Sequence, residues 1–417
     1  MTRPLPRLSV LVFTGLLFLL AFFAISLLLV IGAKTRSSAG SSSNEANLVE
    51  EEEGALIPLT GRIHYPKLMP EPKEGLYPVF TPLLTLLERW HPDNPDPPEE
   101  FHETLQHFNY SNPYERAMAE LFRTKEVPFK LYDVPEVDTV TRKWTNRYLL
   151  SKTKLIQPHV EKSETNHFMF WNVFSSKRMK ETYTPPTQVI QMDFAEWLKI
   201  ALQADRDKIS KYSPHYYFMI NSMASRMGRT FVSDDIPAFS TNKNNFFVTN
   251  VYKNKGSRTL HIQSQVIHFM ALTMIGIQCR FGMRGIIAEA HYDQGKNMVA
   301  MIKGRKRYIL TPPQTCEQLA IISDKKHPSF RHSSIDWSDM AEARSHGFAE
   351  VPAIDTIVNQ GEILYIPSYW FHYPVSMSYS IQCNTRSGEP PNFDGFEHID
   401  RCMHGVIANI VPTSLNI

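Results

Sequence analysis

The stretch from His291 to Gln314 reads HYDQGKNMVAMIKGRKRYILTPPQ, and the stretch from Gly361 to Val375 reads GEILYIPSYWFHYPV. In a β-strand, residues i and i+2 point to the same side, so His291 and Asp293 can face one interior. A second histidine, His372, follows in the later stretch. Two histidines and one carboxylate can hold Fe(II) on one face and leave its other positions open. The two stretches therefore predict a non-haem iron site inside a β-structure.

The His-x-Asp pattern alone is weak evidence, because it occurs three times in the chain. His91-Pro92-Asp93 lies in a proline-rich stretch, and proline is rare in interior strands. His398-Ile399-Asp400 has no strand pattern around it. Both copies are expected to be surface loops, whereas His291 opens a run of predicted strands.

The second half of the chain has short apolar runs rich in β-branched and aromatic residues, which are typical of a β-sandwich or barrel. The predicted strands are Phe246–Tyr252, Val266–Ile277, Asn297–Ile302, Arg307–Thr311, Thr356–Val358, Ile363–Ile366 and Tyr379–Asn384. Upstream, Tyr114–Thr124 and Met192–Ala204 have apolar residues at helical spacing. We therefore predict a mainly β fold, with a helical part at 114–245, a barrel at 246–390 and a C-terminal extension at 391–417.

The N-terminus contains a candidate membrane anchor. Leu8–Ala33 has 26 residues without a charge, and about 20 apolar residues suffice to cross a bilayer. A cleaved signal peptide is the alternative, but its apolar region is usually roughly 7–15 residues, so an uncleaved transmembrane signal anchor is favoured. Basic residues flank both sides, and the α-amine tips the orientation toward a cytosolic tail at 1–7. The expected location is the endoplasmic reticulum or Golgi membrane, with the catalytic body in the lumen.

Residues 34–113 are predicted to be a stalk followed by a proline-rich linker. Thr35–Gly54 carries serine and glutamate runs with little to bury. Pro58–Pro98 is dense in proline and is expected to lie in extended form on a surface. The sequon Asn109-Tyr110-Ser111 is compatible with a lumenal location.

Charge and cysteine usage exclude some classes of protein. The net charge of +2 gives no sign of a nucleic-acid partner. The four cysteines, Cys279, Cys316, Cys383 and Cys402, have no C-x-x-C spacing, which argues against a zinc ribbon or a thioredoxin-type redox pair. Buried thiols are expected, and one disulfide remains possible if the domain is lumenal.

Taken together, the two quoted stretches resemble the JmjC-like (cupin-8) family, and they are most similar to the asparaginyl hydroxylase type that acts on hypoxia-inducible factor. The resemblance is strong over 276–388. It is weaker in Lys143–Lys154, in the helix at Met192 and in Tyr216–Pro237, and residues 1–110 lie outside it. The resemblance implies a double-stranded β-helix, the cupin jelly roll, with flanking helices.

The resemblance also implies cofactors. His291, Asp293 and His372 match the three iron ligands of the family, and Lys306 matches the lysine that binds the distal carboxylate of 2-oxoglutarate. An ammonium against a carboxylate is a charge-assisted hydrogen bond, which suits that role. Fe(II) and 2-oxoglutarate are therefore the expected cofactors.

Further pocket residues follow from the same match. Asn297 and Asn384 align with asparagines that line the cosubstrate pocket, and Tyr308 shares a strand face with Lys306. One position departs from the family: Ala288 stands where relatives usually have threonine or serine, whose hydroxyl bonds the cosubstrate. The loss of one neutral hydrogen bond, about 0.5–1.5 kcal/mol, is expected to weaken 2-oxoglutarate binding without abolishing it.

Alternatives remain open for the basic run and for the function. Lys303–Arg307 reads KGRKR, which is also typical of a nuclear-localisation or phosphate-binding patch. The favoured function is a membrane-anchored Fe(II)- and 2-oxoglutarate-dependent dioxygenase, a hydroxylase of an unidentified protein substrate. The alternative is a catalytically silent metal-binding cupin that serves as an interaction module, which Ala288 supports. A demethylase is a third class, but a lumenal domain would meet no histone.

Overall fold

The computed structural model describes residues 77–154, 156, 158–224, 228–240, 245–249, 276–387, 398–399 and 402–403. The chain divides into two compact units, 1–64 and 65–417, and every described residue belongs to the second. No helix in the described part is long and apolar enough to cross a membrane. The predicted anchor at Leu8–Ala33 and most of the predicted stalk lie outside the described residues.

Most of the described chain is built from short strands. The strands are β1 Thr81–Pro82, β2 His107–Asn109, β3 Phe129–Tyr132, β4 His159–Ser163, β5 His167–Phe168, β6 Gln188–Ile190, β7 His215–Asn221, β8 Met223–Ala224, β9 Gly228–Arg229, β10 Gln278–Gly282, β11 Ile287–Ala288, β12 His291–Tyr292, β13 Asn297–Lys303, β14 Arg305–Thr311, β15 Pro352–Asn359, β16 Ile363–Ile366, β17 Phe371–Ser376 and β18 Ser380–Arg386.

The helices lie mainly in the first half of the described chain. The α-helices are Leu83–Arg89, Pro113–Thr124, Pro135–Lys143, Asn146–Thr153, Val173–Arg178, Phe194–Asp207, Phe231–Asp235 and Met340–Ser345, with 3-10 turns at Pro237–Phe239, Pro313–Thr315 and Phe348–Glu350.

Two sheets form the core. The first has the order β1-β15-β14-β17-β11-β5, with β12 also paired to β17, and the second has the order β2-β3-β16-β13-β18-β10-β7-β4-β6. From β13 onward the strands are distributed between the two sheets, so that β15-β14-β17 and β16-β13-β18 form their centres. This interleaving is typical of a jelly roll. The prediction of a mainly β, cupin-like fold is confirmed.

Five predicted strands correspond to observed ones, and their boundaries differ by a few residues. Ile363–Ile366 matches β16, whereas the run predicted at Arg307 begins at Arg305. Residues 246–249 are not a strand, so the first predicted strand is wrong over that part, and the rest of it lies outside the described residues. The sequence analysis missed β7, β10 and β17 as strands. All six residues of β17 are buried, so it shows no apolar–polar alternation, and it contains Pro374.

The two predicted helices are present, and each begins at a side-chain cap. Asn112 accepts hydrogen bonds from the backbone N–H groups of Tyr114 and Glu115 at the start of Pro113–Thr124. Asp193 accepts one from the N–H of Glu196 at the start of Phe194–Asp207. A side-chain oxygen at this position satisfies a backbone donor that has no partner within the helix.

The proline-rich stretch folds differently from the prediction. Leu83–Arg89 is a helix rather than an extended segment, and Thr81–Pro82 pairs with β15. Leu83 and Leu87 are fully buried. The sequence LLTLLER has its buried leucines at helical spacing, and burying that stripe outweighs the extended preference of the flanking prolines.

Arg307 fastens this helix to the barrel. Its guanidinium bonds the carboxylate of Asp355 at 2.6–3.0 Å and donates to the carbonyl oxygens of Leu86 and Trp90. It also lies 4.2 Å from the centre of the Trp90 ring. Lys306 and Arg307 are each 1% exposed, so the run Lys303–Arg307 is not a solvent-exposed basic patch.

All four cysteines form disulfides, so the expectation of buried thiols is wrong. Cys279 of β10 pairs with Cys383 of β18, and these two residues stand directly opposite each other in the antiparallel ladder. Cys316 pairs with Cys402. The bridged residues are 104 and 86 positions apart, so only strand register and tertiary packing bring them together.

Candidate metal centre

Strand pairing brings the predicted triad together. β12 pairs with β17 in a register that places His291 opposite His372. The candidate ligand atoms of His291, Asp293 and His372 all lie within 4.8 Å of one another. Asp293 and His372 are buried, and His291 is partly buried. Three donors at this separation can converge on one metal ion.

Both histidines present the same nitrogen to this point. His291 Nδ1 lies 2.7 Å from the carbonyl oxygen of Glu289, and His372 Nδ1 lies 3.1 Å from that of Trp370. A carbonyl oxygen only accepts, so each Nδ1 carries the proton and each Nε2 keeps its lone pair. Outer hydrogen bonds of this kind orient metal-binding histidines.

The electrostatics of the triad favour its metal-binding form. Burial holds the pKa of His291 well below its usual value, and the neighbouring His372 and His332 act in the same direction. Burial also lowers the pKa of His372. Both rings are therefore neutral at physiological pH, as ligation requires.

Asp293 is held ionised. Burial alone would raise the pKa of this carboxyl group, but the charge of Arg386, aided by Arg331, outweighs burial and holds the pKa well below its usual range. Arg386 lies 2.7 Å from one carboxylate oxygen and Arg331 lies 3.3 Å from the other. The Asn297 amide donates to the first oxygen at 3.1 Å. These three groups fix the carboxylate beside the histidines.

The sequence analysis missed three neighbours of the triad: Arg331, Arg386 and His332. The His332 ring stacks on His291 with a centroid distance of 4.9 Å and an interplanar angle of 21°. Phe170, which is 53% exposed, stacks in turn on His332 at 6.3 Å. Of these three, only Arg386 could have been found from its spacing in the sequence, because it lies two residues after Asn384 and therefore on the same face of the strand.

Asn297, Tyr308 and Asn384 line the same cavity as the triad, and Lys306 lies behind Tyr217, which also lines it. Lys306 is 1% exposed, and its ammonium donates to the Tyr217 hydroxyl at 3.1 Å. Tyr308 donates to the amide oxygen of Gln382 at 2.7 Å, from one sheet to the other. Ala288 lines the same cavity. Burial holds the pKa of Lys306 well below its usual value, since the described residues provide no carboxylate partner for this ammonium.

A chain of amides connects these residues to the triad. Arg280 Nη1 donates to Asn384 at 2.8 Å, Asn384 donates to Asn297 at 3.1 Å, and Asn297 donates to Asp293. The structure therefore places the triad, Asn297, Asn384 and Tyr308 around one cavity, with Lys306 next to it, and it adds Arg280, which the sequence pattern did not single out.

Comparison with known proteins agrees with this geometry. A family model described as a cupin-like domain (Cupin_8) matches residues 115–385. This chain belongs to the cupin-like domain family. The cupin-like match covers the triad and the central strands of both sheets, but it begins after β1, the Leu83–Arg89 helix and β2.

Individual relatives share shorter stretches with this cupin-like chain. The lysine-specific demethylase JMJ30 of Arabidopsis thaliana is 30% identical over 101 residues, covering 24% of this chain and 23% of the relative. The tRNA wybutosine-synthesizing protein 5 of Danio rerio is 27% identical over 105 residues, covering 25% and 30%. The JmjC domain-containing protein D of Dictyostelium discoideum is 31% identical over 107 residues, covering 26% and 24%.

The chain spans about a quarter of the length of these curated relatives. JmjC cupins are in general 2-oxoglutarate-dependent oxygenases that use Fe(II) and 2-oxoglutarate. The triad fits Fe(II), because two imidazoles and one carboxylate are the donor set of such enzymes. Lys306 fits the cosubstrate, because a buried ammonium without a carboxylate suits an anionic ligand.

Proposed function

We propose that this chain is an Fe(II)- and 2-oxoglutarate-dependent hydroxylase of a protein side chain. The observation that carries the proposal is the pairing of β12 with β17, which sets two Nε2 atoms and one carboxylate within 4.8 Å in a buried cavity. Lys306 adds a buried cation next to that cavity, and its described hydrogen-bond partner is the neutral hydroxyl of Tyr217, which lines the cavity.

Each residue has a role set by its contacts. His291, Asp293 and His372 would hold the metal, and Lys306 would bind the distal carboxylate of the cosubstrate. When bound, Fe(II) and 2-oxoglutarate supply the oxidising chemistry, in which the cosubstrate is decarboxylated to succinate and oxygen enters a C–H bond. The protein supplies positioning and exclusion of water.

The walls of the cavity serve that exclusion. Val299 and Ile366 line it from one sheet and Pro374 from the other, and all three are buried. Phe170 lines the cavity and is 53% exposed. The substrate side chain would enter beside Phe170, where an apolar surface already meets solvent.

The substrate class rests on resemblance. The likeness of 291–314 and 361–375 to the asparaginyl hydroxylase type supports hydroxylation of a protein. The similarity to a lysine-specific demethylase favours a second candidate, removal of an N-methyl group from a protein lysine. The two candidates differ in product, since hydroxylation of an N-methyl carbon releases formaldehyde.

We also propose that the domain faces the lumen of the secretory pathway, anchored by Leu8–Ala33. Two disulfides support this, because disulfides persist in oxidising compartments and are rare in the cytosol. Protease treatment of sealed microsomes tests the proposal. The domain is expected to be protected until detergent is added, and digestion without detergent would reverse the orientation.

The central experiment uses the full chain purified in detergent. Anaerobic titration with Fe(II) and then 2-oxoglutarate is expected to show stoichiometric binding of both, and admission of oxygen is expected to release succinate. Asp293→Ala should lose metal binding, whereas His346→Ala, on an exposed turn, should behave as wild type. Metal binding without any 2-oxoglutarate binding would favour the silent interaction module.

A further inference from the structure

Besides Arg331 and Arg386 at the metal end, the cavity is lined by Arg280 of β10. Arg280 lines the cavity together with Gln278 and Asn384. Its guanidinium donates to the amide oxygen of Asn384 at 2.8 Å and to that of Gln278 at 3.1 Å. A guanidinium has five N–H donors, so donors remain for a further acceptor.

On the first sheet, strand register fixes how far Lys306 lies from the metal end of the cavity. Leu310 stands opposite His372, and Lys306 lies four residues back along β14, opposite Ser376. Four residues of strand span about 13 Å. Lys306 therefore stands well removed from the metal end, and it reaches the cavity through the Tyr217 hydroxyl.

On the second sheet, strand register places Arg280 at a similar distance from the metal end. Arg386, which contacts Asp293, stands opposite Asn297 at the metal end. Gln382 lies four residues back along β18, again about 13 Å, and stands opposite Arg280. The guanidinium reaches back from there toward Asn384. Lys306 and Arg280 thus stand on opposite sheets at the same level.

The described carboxylates of the cavity are engaged by other groups. Asp293 bonds Arg386 and Arg331. Glu289 bonds His167 at 2.5 Å. Glu161 accepts from Thr187 and contacts His159, each at 2.9 Å.

Lys306 and Arg280, the two cations far from the metal end, therefore have uncharged hydrogen-bond partners among the described residues. Those partners are a hydroxyl group for Lys306 and two amides for Arg280. A buried ammonium without a carboxylate is costly, and a half-buried guanidinium at the same level has spare donors, which together point to an anionic ligand between them.

We propose that Arg280 is a second anchor for the distal carboxylate of 2-oxoglutarate, acting with Lys306 and replacing the hydroxyl that Ala288 lacks. The inference rests on the proposed function, because it concerns the same cosubstrate. A guanidinium brings a positive charge and a paired set of donors to the carboxylate, which a hydroxyl does not, so Arg280 can compensate for the missing hydroxyl. Ala288 is then a tolerated departure rather than a mark of an inactive site.

The test measures 2-oxoglutarate binding to the Mn(II)-loaded full chain by calorimetry, so that no turnover intervenes. Arg280→Leu is expected to weaken 2-oxoglutarate binding about 10- to 100-fold, the range for a hydrogen bond to a charged group. Arg280→Lys should retain much of the affinity. Arg116→Leu, which removes an exposed arginine of the helix Pro113–Thr124 outside the cavity, should leave it unchanged.

A matched ligand isolates the distal carboxylate. 2-Oxopentanoate has the same five-carbon chain and the same metal-chelating end, but no distal carboxylate. Arg280→Leu should leave its binding unchanged, so the preference for the diacid should fall by the same factor of about 10–100. Equal weakening of both ligands, or of neither, would overturn the inference.

Ala288→Thr provides a second, independent measurement. In the wild-type background the new hydroxyl should add little, because the carboxylate already has two cations. In the Arg280→Leu background it should recover about 2- to 10-fold in affinity, the value of a neutral bond. An identical gain in both backgrounds would argue against replacement of one group by the other.

The controls separate this inference from the proposed function. If the wild-type protein binds Mn(II) but no 2-oxoglutarate, the proposed function itself fails. If the wild type binds 2-oxoglutarate and Lys306→Met abolishes binding while Arg280→Leu has no effect, only the inference about Arg280 fails. Unchanged Mn(II) affinity in Arg280→Leu would show that the variant is folded.

Discussion

Lys306 and Arg307 are consecutive residues of β14 that are equally buried and face opposite sides of one sheet. Arg307, on the outer face, bonds a carboxylate and two backbone carbonyls. Lys306, on the cavity face, donates to a hydroxyl group. Lys130 of β3 is a further buried cation with a carboxylate in the chain, since it lies 2.9 Å from the buried carboxylate of Glu103.

The presence or absence of a carboxylate partner separates cations that stabilise the fold from cations that are available to a ligand. Burying a charge is costly unless it is paired. Arg307 and Lys130 have their counter-charges within the chain, so they stabilise the fold without any ligand. The far end of the cavity has two cations whose described partners are neutral, so that region is arranged for an anion from outside.

The largest effect is expected from breaking the outer pair. Asp355→Asn leaves the Arg307 guanidinium buried without its carboxylate, and removing one partner of a buried ion pair costs about 3–5 kcal/mol. The free energy of unfolding, measured by urea titration at pH 7, should fall by that amount. The helix at Leu83–Arg89 should loosen as well, because Arg307 binds its last carbonyls.

Lys306→Met is the matched control on the other face. Without ligand, replacing this cation should leave the free energy of unfolding unchanged or raise it, since an apolar side chain has no desolvation cost there. A loss for Lys306→Met as large as that for Asp355→Asn would contradict the distinction between the two faces.

The disulfides are expected to have the next largest effect. Cys279→Ser with Cys383→Ser, and Cys316→Ser with Cys402→Ser, should each lower the free energy of unfolding by about 2–4 kcal/mol. Only the first pair lies on strands that carry Arg280 and Asn384. Calorimetry should therefore show weaker 2-oxoglutarate binding for the first double variant alone.

A smaller effect is expected at the metal end. Arg386→Gln removes the nearest positive charge from Asp293, and mutation of such outer partners typically costs about 10- to 100-fold in metal affinity. Mn(II) titration should show this loss, while Lys306→Gln should leave Mn(II) affinity unchanged. Equal losses for both variants would mean that the two ends of the cavity are not separable.

The smallest effect concerns a histidine at the edge of the cavity. Burial alone would lower the pKa of His167, but hydrogen bonds with Asp93 and Glu289, aided by the charge of Asp336, raise it to about 10. Lys211, which contacts Asp93 at 2.5 Å, belongs to the same group.

The sign of the pH effect follows from that direction. Because the folded-state pKa is raised, the stabilising contribution of His167 is complete below about pH 6.5, the unfolded value, and is lost as the pH rises toward about 10. The free energy of unfolding should therefore fall over this window in wild type more than in His167→Asn. Parallel pH profiles for the two proteins would refute the assignment.

The sequence predicted the site well where the signal was local. The spacing of His291 and Asp293 reports strand parity, and the stretch ending in His372 supplied the third ligand by resemblance. The cations Arg280 and Arg386 could not be assigned in that way, because their roles depend on which strands become neighbours. The disulfides and the Arg307–Asp355 pair depend on the same long-range register.

The pairing of Thr81 in β1 with Ala353 in β15 means that β1 cannot complete its folding until β15 has been synthesised. At about 5–20 residues per second, a ribosome needs on the order of tens of seconds to travel from one strand to the other. During that time the apolar face of the Leu83–Arg89 helix has not yet met the strand and the Arg307–Asp355 pair that cover it. The nascent chain is therefore expected to depend on chaperones that shield this leucine-rich segment until the last strands emerge.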